Sequence, residues 1–459
     1  MKTMRIARLF SSKERKGRRW ALPLCLLMAM PMSAQKQWTL QECIDYALEN
    51  NITLQQSKLQ RQSASEDVKG AKGALLPSLN ASTNQSTGYR PWQDTGVSTV
   101  TNGQVNTKVS KTYYNGSYAV NAQWTVWNGN RNRNNVKLNK LSEQQAELAE
   151  QQTANSIQER IAQLFTQILY LDESVKVSEQ MLETSKKNEA RGMEMKEVGK
   201  MSVADVTQLS AQRATDEYNI VETRSQLRNY KLQLKQLLEI TDADEFDVAI
   251  PEVDEMRVLA EIPSLQTVYE QALLTRPEIE SSKLAVKSSD VNLAVAKAGW
   301  LPTLSLTGSF GTSTNSLSNK GWGTQLKSNF DAMGGVSLSV PLFDGRQTKT
   351  NVNKARIQQQ SVTLDLLEQQ KNLYATIEDY WLNAQTNQQK YRAAKVSVES
   401  EQLSYNQISE KFHLGLMNIV ELMTGRDRLL SAEQNMLQAK YMAVYNQQML
   451  HFYQGESIR

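Results

Sequence analysis

"GGVSLSVPLFDGR" spans Gly334 to Arg346 and changes character halfway. Val336, Leu338, Val340 and Leu342 alternate with Ser337, Ser339 and Pro341, the period of a β-strand with one apolar face. At Asp344-Gly345 the alternation stops, and a polar, helix-favouring run continues to the C-terminal region. "NAQWTVWNGNR", Asn121 to Arg131, does the same: Trp124 and Val126 alternate with Gln123 and Thr125, then Asn128-Gly129 opens a second long run. The chain twice attaches a short amphipathic strand to a very long polar helix.

Working outward, the chain repeats itself. "LQECIDYALENN" (Leu40 to Asn51) returns as "LQTVYEQALLTRP" (Leu265 to Pro277), and "AKGALLPSL" (Ala71 to Leu79) as "AKAGWLPTL" (Ala296 to Leu304), both at an offset of 225. "WNGNR" and "FDGR" match at an offset of 216, as do "VGKMSVADV" (from Val198) and "HLGLMNIVE" (from His413), with Gly199 opposite Gly415. The offset changes only between Pro77/Pro302 and Trp127/Phe343, which marks a tolerant loop in each half. Each half therefore reads as helix, strand, loop, strand, long helix, turn, helix. The strands are expected near Ser78–Arg90, Tyr113–Val126, Thr303–Thr314 and Gly334–Phe343. The first of them, mostly Ser, Thr and Asn, is read mainly from the repeat.

The helices are longer than globular domains use. From Asn130 to about Glu197 there is no proline, and such a run extends roughly 100 Å at ~1.5 Å per residue. Ile157, Ile161, Leu164, Ile168, Leu171 and Val175 step in the alternating fours and threes of a coiled-coil seam, and Leu422, Leu429, Met436, Ala443 and Leu450 recur every seven. Turns at Gly199 and Gly415 fold each long helix back on a partner.

The N-terminus is a targeting segment. Residues 1–20 hold eight Lys/Arg against Glu14, and an apolar run from Ala21 to Met32 leads to Ser33-Ala34. This is the layout of a secretory signal peptide, cleaved after Ala34 and too short to span a bilayer. The chain's +4 charge includes +7 from that segment, leaving −3 for the mature protein. Nucleic acid is thereby excluded as a partner. Cys43 becomes the only cysteine, so no intrachain disulfide is available, and it reads as a small buried hydrophobe. Two histidines supply neither a metal site nor a triad, and the acids read as solvated helix-face groups, so neither enzyme activity nor a cofactor is expected.

Strands of about 10 residues suit a membrane β-barrel, where open edges are not tolerated. Four strands cannot close, so several copies must share the barrel, and three copies give twelve strands. Aromatics collect where interface girdles belong: Trp127, Trp300 and Phe343 at the strand–helix junctions, and Tyr113, Tyr114, Tyr89, Trp92, Phe310 and Trp322 towards the loops. The rival reading of those rings is the core of a soluble β-layer.

The signal peptide, the doubled Leu-Pro–strand–loop–strand–(Trp/Phe)(Asn/Asp)Gly block and the doubled tip together resemble the outer membrane efflux family, the TolC-like outer membrane factors, over residues 38–453. The fold class is then mainly α with a membrane β-barrel part. The chain is internally duplicated, with long antiparallel coiled-coil hairpins and four strands. The resemblance implies a homotrimer, a twelve-strand β-barrel in the outer membrane of a Gram-negative bacterium, and a twelve-helix α-barrel across the periplasm. It also implies docking to a periplasmic adaptor and an inner-membrane pump. Expected divisions are 1–34 signal peptide, 35–76 periplasmic helix, 77–128 β-hairpin, 129–240 helical hairpin, 241–263 equatorial segment, 264–301 periplasmic helix, 302–344 second β-hairpin and 345–454 second helical hairpin. Pro91–Thr112 and Asn315–Met333 become extracellular connections, with both termini periplasmic.

Within that frame Asp205 and Glu421, six residues after Gly199 and Gly415, are candidates for a cation-favouring constriction at the tip; a favourable position at a helix N-terminus explains them equally. Gly199, Lys200, Met201, Ser202, Gly415, Leu416, Met417 and Asn418 are the candidate adaptor-docking tips, with the residues flanking each glycine expected to be exposed. Met417, Phe412 and Thr424 depart from the family's usual basic, Tyr and acidic residues, so tip closure is expected to be more apolar than is common. An exported coiled-coil structural protein or adhesin is the alternative, and a barrel-forming pair of hairpins is what separates the two. The sequence does not distinguish drugs, metals or proteins as cargo.

Overall fold

A computed structural model describes residues 37–92, 95–100, 103–108, 110–241, 246–251, 253–316 and 318–458; the expected signal peptide lies outside them. In chain order the elements are β1 (Gln37–Trp38), α1 (Leu40–Asn50), α2 (Ile52–Gly73), β2 (Ser78–Tyr89), β3 (Thr95–Val100), β4 (Gly103–Lys108), β5 (Thr112–Trp127), α3 (Arg131–Glu197) and α4 (Val203–Leu237). There follow β6 (Asp247–Val248), α5 (Glu255–Val258), α6 (Leu265–Thr275), α7 (Pro277–Lys297), a 3₁₀ turn (Ala298–Trp300), β7 (Thr303–Asn315), α8 (Trp322–Ser328), β8 (Asp331–Ser339), α9 (Gln347–His413) and α10 (Ile419–Tyr453).

The two strand-to-helix junctions, at Gly129-Asn130 and Gly345-Arg346, are made by left-handed backbone. Gly129 and Asn130 have φ of 65° and 64°, and Gly345 and Arg346 have 61° and 72°. Two successive left-handed residues reverse the chain within one step. Asn128 Oδ1 then accepts from Asn132 N–H (3.2 Å) and Asp344 Oδ2 from Thr348 N–H (2.7 Å), satisfying donors of each first helical turn. From there α3 and α9 each run 67 residues, about 100 Å, and each returns as a helix of 35 residues, α4 or α10.

β2, β5, β7 and β8 form one antiparallel sheet in that order. Four details differ from the sequence reading. β8 stops at Ser339, so Val340, Pro341 and Leu342 lie beyond it; proline has no N–H for a ladder. The register of β5 against β7 shifts between Thr125 and Trp127, so Trp127, not Val126, continues the row containing Trp124. The connection expected to be loop between Pro91 and Thr112 contains the β3–β4 hairpin. The connection after Asn315 contains α8 and ends before the expected Met333, since β8 begins at Asp331 and not at Gly334.

The main core lies midway along α3 and α9, beside the C-terminal ends of α4 and α10. Ile161 and Ile168 of α3, Leu234 of α4, Ile377 of α9 and Leu450 of α10 are fully buried there with Cys43, Val248, Val268 and Ile279. The seam residues Ile157 to Val175 are all buried, as are Leu422, Leu429, Ala443 and Leu450 of the heptad series. The segment after α4 does more than interrupt the helix: β6 pairs in parallel with β1, clipping Gln37–Trp38 to this core. No helix among the described residues is long and apolar enough to cross a membrane.

Candidate functional site

Directly opposed residues in an antiparallel ladder share a face, so the registers sort the sheet. One face carries Leu304, Leu306, Gly308 and Phe310 of β7, Leu338, Val336, Gly334 and Ala332 of β8, Trp127, Trp124, Ala122 and Val120 of β5, and Leu79 and Ala81 of β2. The other carries Thr303, Ser305, Thr307 and Ser309, with Ser337, Gln123, Asn121, Ser117, Ser78, Asn80, Ser82 and Asn84. The only charged residue in the four strands is Asp331, at the end remote from the long helices. All of β8 is solvent-exposed, and β2 and β8 each have one unpaired edge among the described residues.

The candidate interface aromatics divide. Trp127, Trp300 and Phe343 are exposed at the helix end of the sheet. At the other end Tyr114 belongs to the apolar face, where its hydroxyl donates to Gln85. Its neighbour Tyr113 lies on the polar face, its ring covering Gly88 so closely that a Cβ there would sit 2.3 Å from it. A one-residue step along a strand reverses the face, so the adjacent pair cannot both face one way.

At the opposite extreme the hairpins turn. Gly199 and Gly415 have φ of 73° and 75°. Lys200 N–H reaches Met195 O and Leu416 N–H reaches Lys411 O, both at 2.8 Å, so each long helix ends in the same glycine motif. Ser202 and Asn418 cap the return helices. Asp205 is committed to its cap: its carboxylate accepts from Ser202 Oγ (2.7 Å), whose oxygen accepts from Asp205 N–H (3.1 Å). Glu421 gives only its backbone N–H, to Asn418 Oδ1 (2.9 Å), and its side chain is exposed.

Met201 and Met417, expected to be exposed, are instead tucked against the tip core of Met181, Leu209, Tyr405, Phe412, Ile419, Leu422 and Leu429. A turn that short leaves room for flexible thioethers to fold inward. The exposed apolar residues of the tips are Val198, Val203, Leu414, Leu416 and Val420, beside Lys200.

The acids are not all on solvated faces, as the sequence reading had them. Asp216 of α4 and Arg426 of α10 are 4% and 2% exposed and form an ion pair between the two hairpins. Ser185 Oγ donates to the same carboxylate, Gln212 Nε2 does so at 3.1 Å, and Asn188 Nδ2 reaches Tyr405 Oη at 3.5 Å. Residues 210 apart in sequence meet here, and no local pattern announces it. Among the described residues, no cluster of His, Cys, Asp and Glu could hold a metal ion.

Comparison with known proteins gives a consistent picture. The family model described as outer membrane efflux protein matches residues 43–239 and 268–456. Outer membrane protein TolC of Vibrio cholerae serotype O1 is 24% identical over 429 residues, covering 92% of each chain. Among solved structures, CusC superposes with a TM-score of 0.77 at 17% identity, covering 96% of this chain and 98% of that one. The CmeC outer membrane channel of Campylobacter jejuni gives 0.76 at 19% identity, over 91% and 86%. At these identities the structural likeness concerns the fold.

Proposed function

The chain belongs to the outer membrane efflux protein family, and from that premise we propose that it is one subunit of a homotrimeric conduit spanning the outer membrane and reaching across the periplasm. As a family member it is an outer-membrane efflux channel, not an enzyme. The observation that carries the finer reading is the two-faced, almost charge-free sheet with two unpaired edges, joined to hairpins about 100 Å long. Unpaired backbone groups in hydrocarbon are too costly to leave open, so β2 of one copy pairs with β8 of the next. Three copies close twelve strands with the Leu/Val/Trp face in lipid and the Ser/Thr/Asn face around water.

Around the same axis the four long helices of each copy wall a tunnel. Exposed apolar residues of α9 support contacts between copies: Ile357 and Leu364, then Leu382, Val396 and Leu403, recur at heptad spacing or its multiple. Three sets of tips surround the periplasmic mouth. Val198, Val203, Leu414, Leu416 and Val420 form the apolar part of the surface that meets a periplasmic adaptor, itself coupled to an inner-membrane pump, with Lys200 at its edge. Glu421, whose carboxylate has no partner among the described residues, lines the constriction, while Asp205 serves chiefly as a cap. Trp127, Trp300, Phe343 and Tyr114 lie at the membrane interfaces, and Tyr113 faces the pore.

The test is the mass of the mature protein extracted from outer membranes in mild detergent, followed by single-channel recording in planar bilayers. A detergent-dependent trimer that conducts supports the reading. A species released without detergent, as monomer or fibre, removes the pore and leaves a coiled-coil structural role. Glu421→Gln is expected to weaken cation block; unchanged conductance and block would exclude that residue from the constriction.

A further inference from the structure

The connection between β7 and β8 does more than close a hairpin. α8 stands where β8 would have continued beside the upper end of β7. Gln325, buried, pairs with the strand edge as a peptide would: Asn315 N–H donates to its Oε1 (2.8 Å) and its Nε2 donates to Asn315 O (3.1 Å). Asn329 Nδ2 donates to Ser313 O (2.7 Å). These bonds cover an edge that β8 leaves open. They also hold α8 against the apolar side of the sheet: Thr312 Oγ1 donates to Leu326 O (2.8 Å), Trp322 meets Tyr118 edge to face, and Phe330 stacks on Phe310. Thr312, Tyr118 and Phe310 all belong to the face assigned to lipid.

So braced, the segment keeps large apolar groups outward. Trp322 and Phe330 are 57% and 61% exposed. Lys320 and Lys327 flank them, both exposed and neither in an ion pair among the described residues. The acid at the end of the segment is Asp331. Aromatic rings beside lysines, continuous with an apolar wall, match the boundary between acyl chains and headgroups.

We propose that Lys320–Phe330 is a membrane foot: it seats Trp322 and Phe330 at the outer boundary of the outer leaflet and receives anionic phosphomonoester headgroups, those of lipid A, on Lys320 and Lys327. The inference rests on the channel reading above, because the foot needs the adjoining face to be in lipid. It goes beyond that reading by giving the barrel a fixed depth and a preference for lipid with anionic phosphomonoester groups over zwitterionic lipid.

The first experiment reconstitutes the full mature chain in vesicles of phosphatidylcholine brominated near the headgroup end of its acyl chains. Trp322→Phe and Trp124→Phe are compared with the unaltered protein, so each difference in emission reports one ring. Both differences are expected to be quenched by bromine. If the Trp124 ring is quenched by lipid and the Trp322 ring only by aqueous iodide, the foot is wrong and the channel stands. If Trp322 is shielded from both quenchers, protein covers it and the foot is again wrong. If neither ring is reached by bromine, the membrane reading itself fails. In a second experiment, vesicles with and without added lipid A are compared by thermal unfolding. Lipid A is expected to raise the midpoint of the unaltered protein, and Lys320→Glu with Lys327→Glu to remove at least half of that rise without changing the midpoint in phosphatidylcholine alone. A rise retained in the variant overturns the headgroup site.

Discussion

Two buried arginines, one at the equator and one near the tip, are held in different ways. Arg276, at the N-terminus of α7, has Glu278 at 2.9 Å and Glu159 at 3.4 Å, and lies over the rings of Tyr453 (4.3 Å) and Phe452 (5.0 Å). Both carboxylates keep some contact with solvent. Arg426 has one buried carboxylate, Asp216, and a second partner, Asp427, that is largely exposed; its Nε, also buried, has no partner among the described residues. The equatorial charge is secured redundantly within the largest core of the chain. The tip charge joins two hairpins through one contact, over a much smaller apolar cluster. The mid-helix core holds its arginine by several partners, whereas the tip hairpins meet through one buried ion pair, the Asn188–Tyr405 hydrogen bond and a small apolar cluster.

The sharpest way to break this comparison is Asp216→Leu. It strands a buried guanidinium, and breaking a buried pair from one side costs about 3–5 kcal/mol. Hydrogen exchange should accelerate in the first turns of α4 and α10 while the equatorial helices stay protected. Adding Arg426→Met should restore most of the protection, since removing both charges avoids the stranded one. Equal loss in single and double variants would mean that the pair does not join the hairpins.

A smaller effect is expected from Gly192→Leu. Even a Cβ at Gly192 would lie 2.6 Å from Leu209 Cδ1, and overpacking of this kind costs about 1–3 kcal/mol. The loss should again appear at the tip alone, read by protease cleavage near Gly199. Glu159→Gln probes the equator and should cost only about 1 kcal/mol. Burial already pushes the Glu159 carboxyl upward, against the pull of Arg276, and Arg276 keeps Glu278 and two rings. A midpoint shift as large as that of Asp216→Leu would contradict the redundancy.

The smallest effect is one of pH. Burial, and then the charge of Arg191, hold the His413 ring below its ordinary value. Its Nδ1 is buried without a hydrogen-bond partner among the described residues. The folded tip therefore favours the neutral ring. Its contribution to stability is present above the unfolded-chain value of ~6.5 and is lost as pH falls through the lower folded value. Tip exchange should quicken on acidification in that window, and His413→Gln should flatten the response.

Much of this molecule was legible locally. Alternation of Leu304, Leu306 and Phe310 with Ser305 and Thr307 set a two-faced strand, because side chains on a strand repeat every two residues. The proline-free runs and heptads set the long helices. Gly199 and Gly415 set the turns, where left-handed backbone favours glycine. The candidate site was less legible. That Met201 and Met417 fold inward, that Tyr113 and Tyr114 part company, and that Trp127 takes the place of Val126 in the apolar row depend on packing and register. The pairing of β1 with β6, the covering of the β7 edge by Gln325 and the meeting of Asp216 with Arg426 were invisible in sequence. Forces between near neighbours set the alternation of the main strands, the length of the long helices and the turns between those helices, so these were readable in the chain itself. Which element lies beside which, and therefore which charges are buried together and which residues share the apolar face of the sheet, was decided only when distant segments packed. Those choices depend on burying shared surface, and no short stretch of chain contains both sides of it.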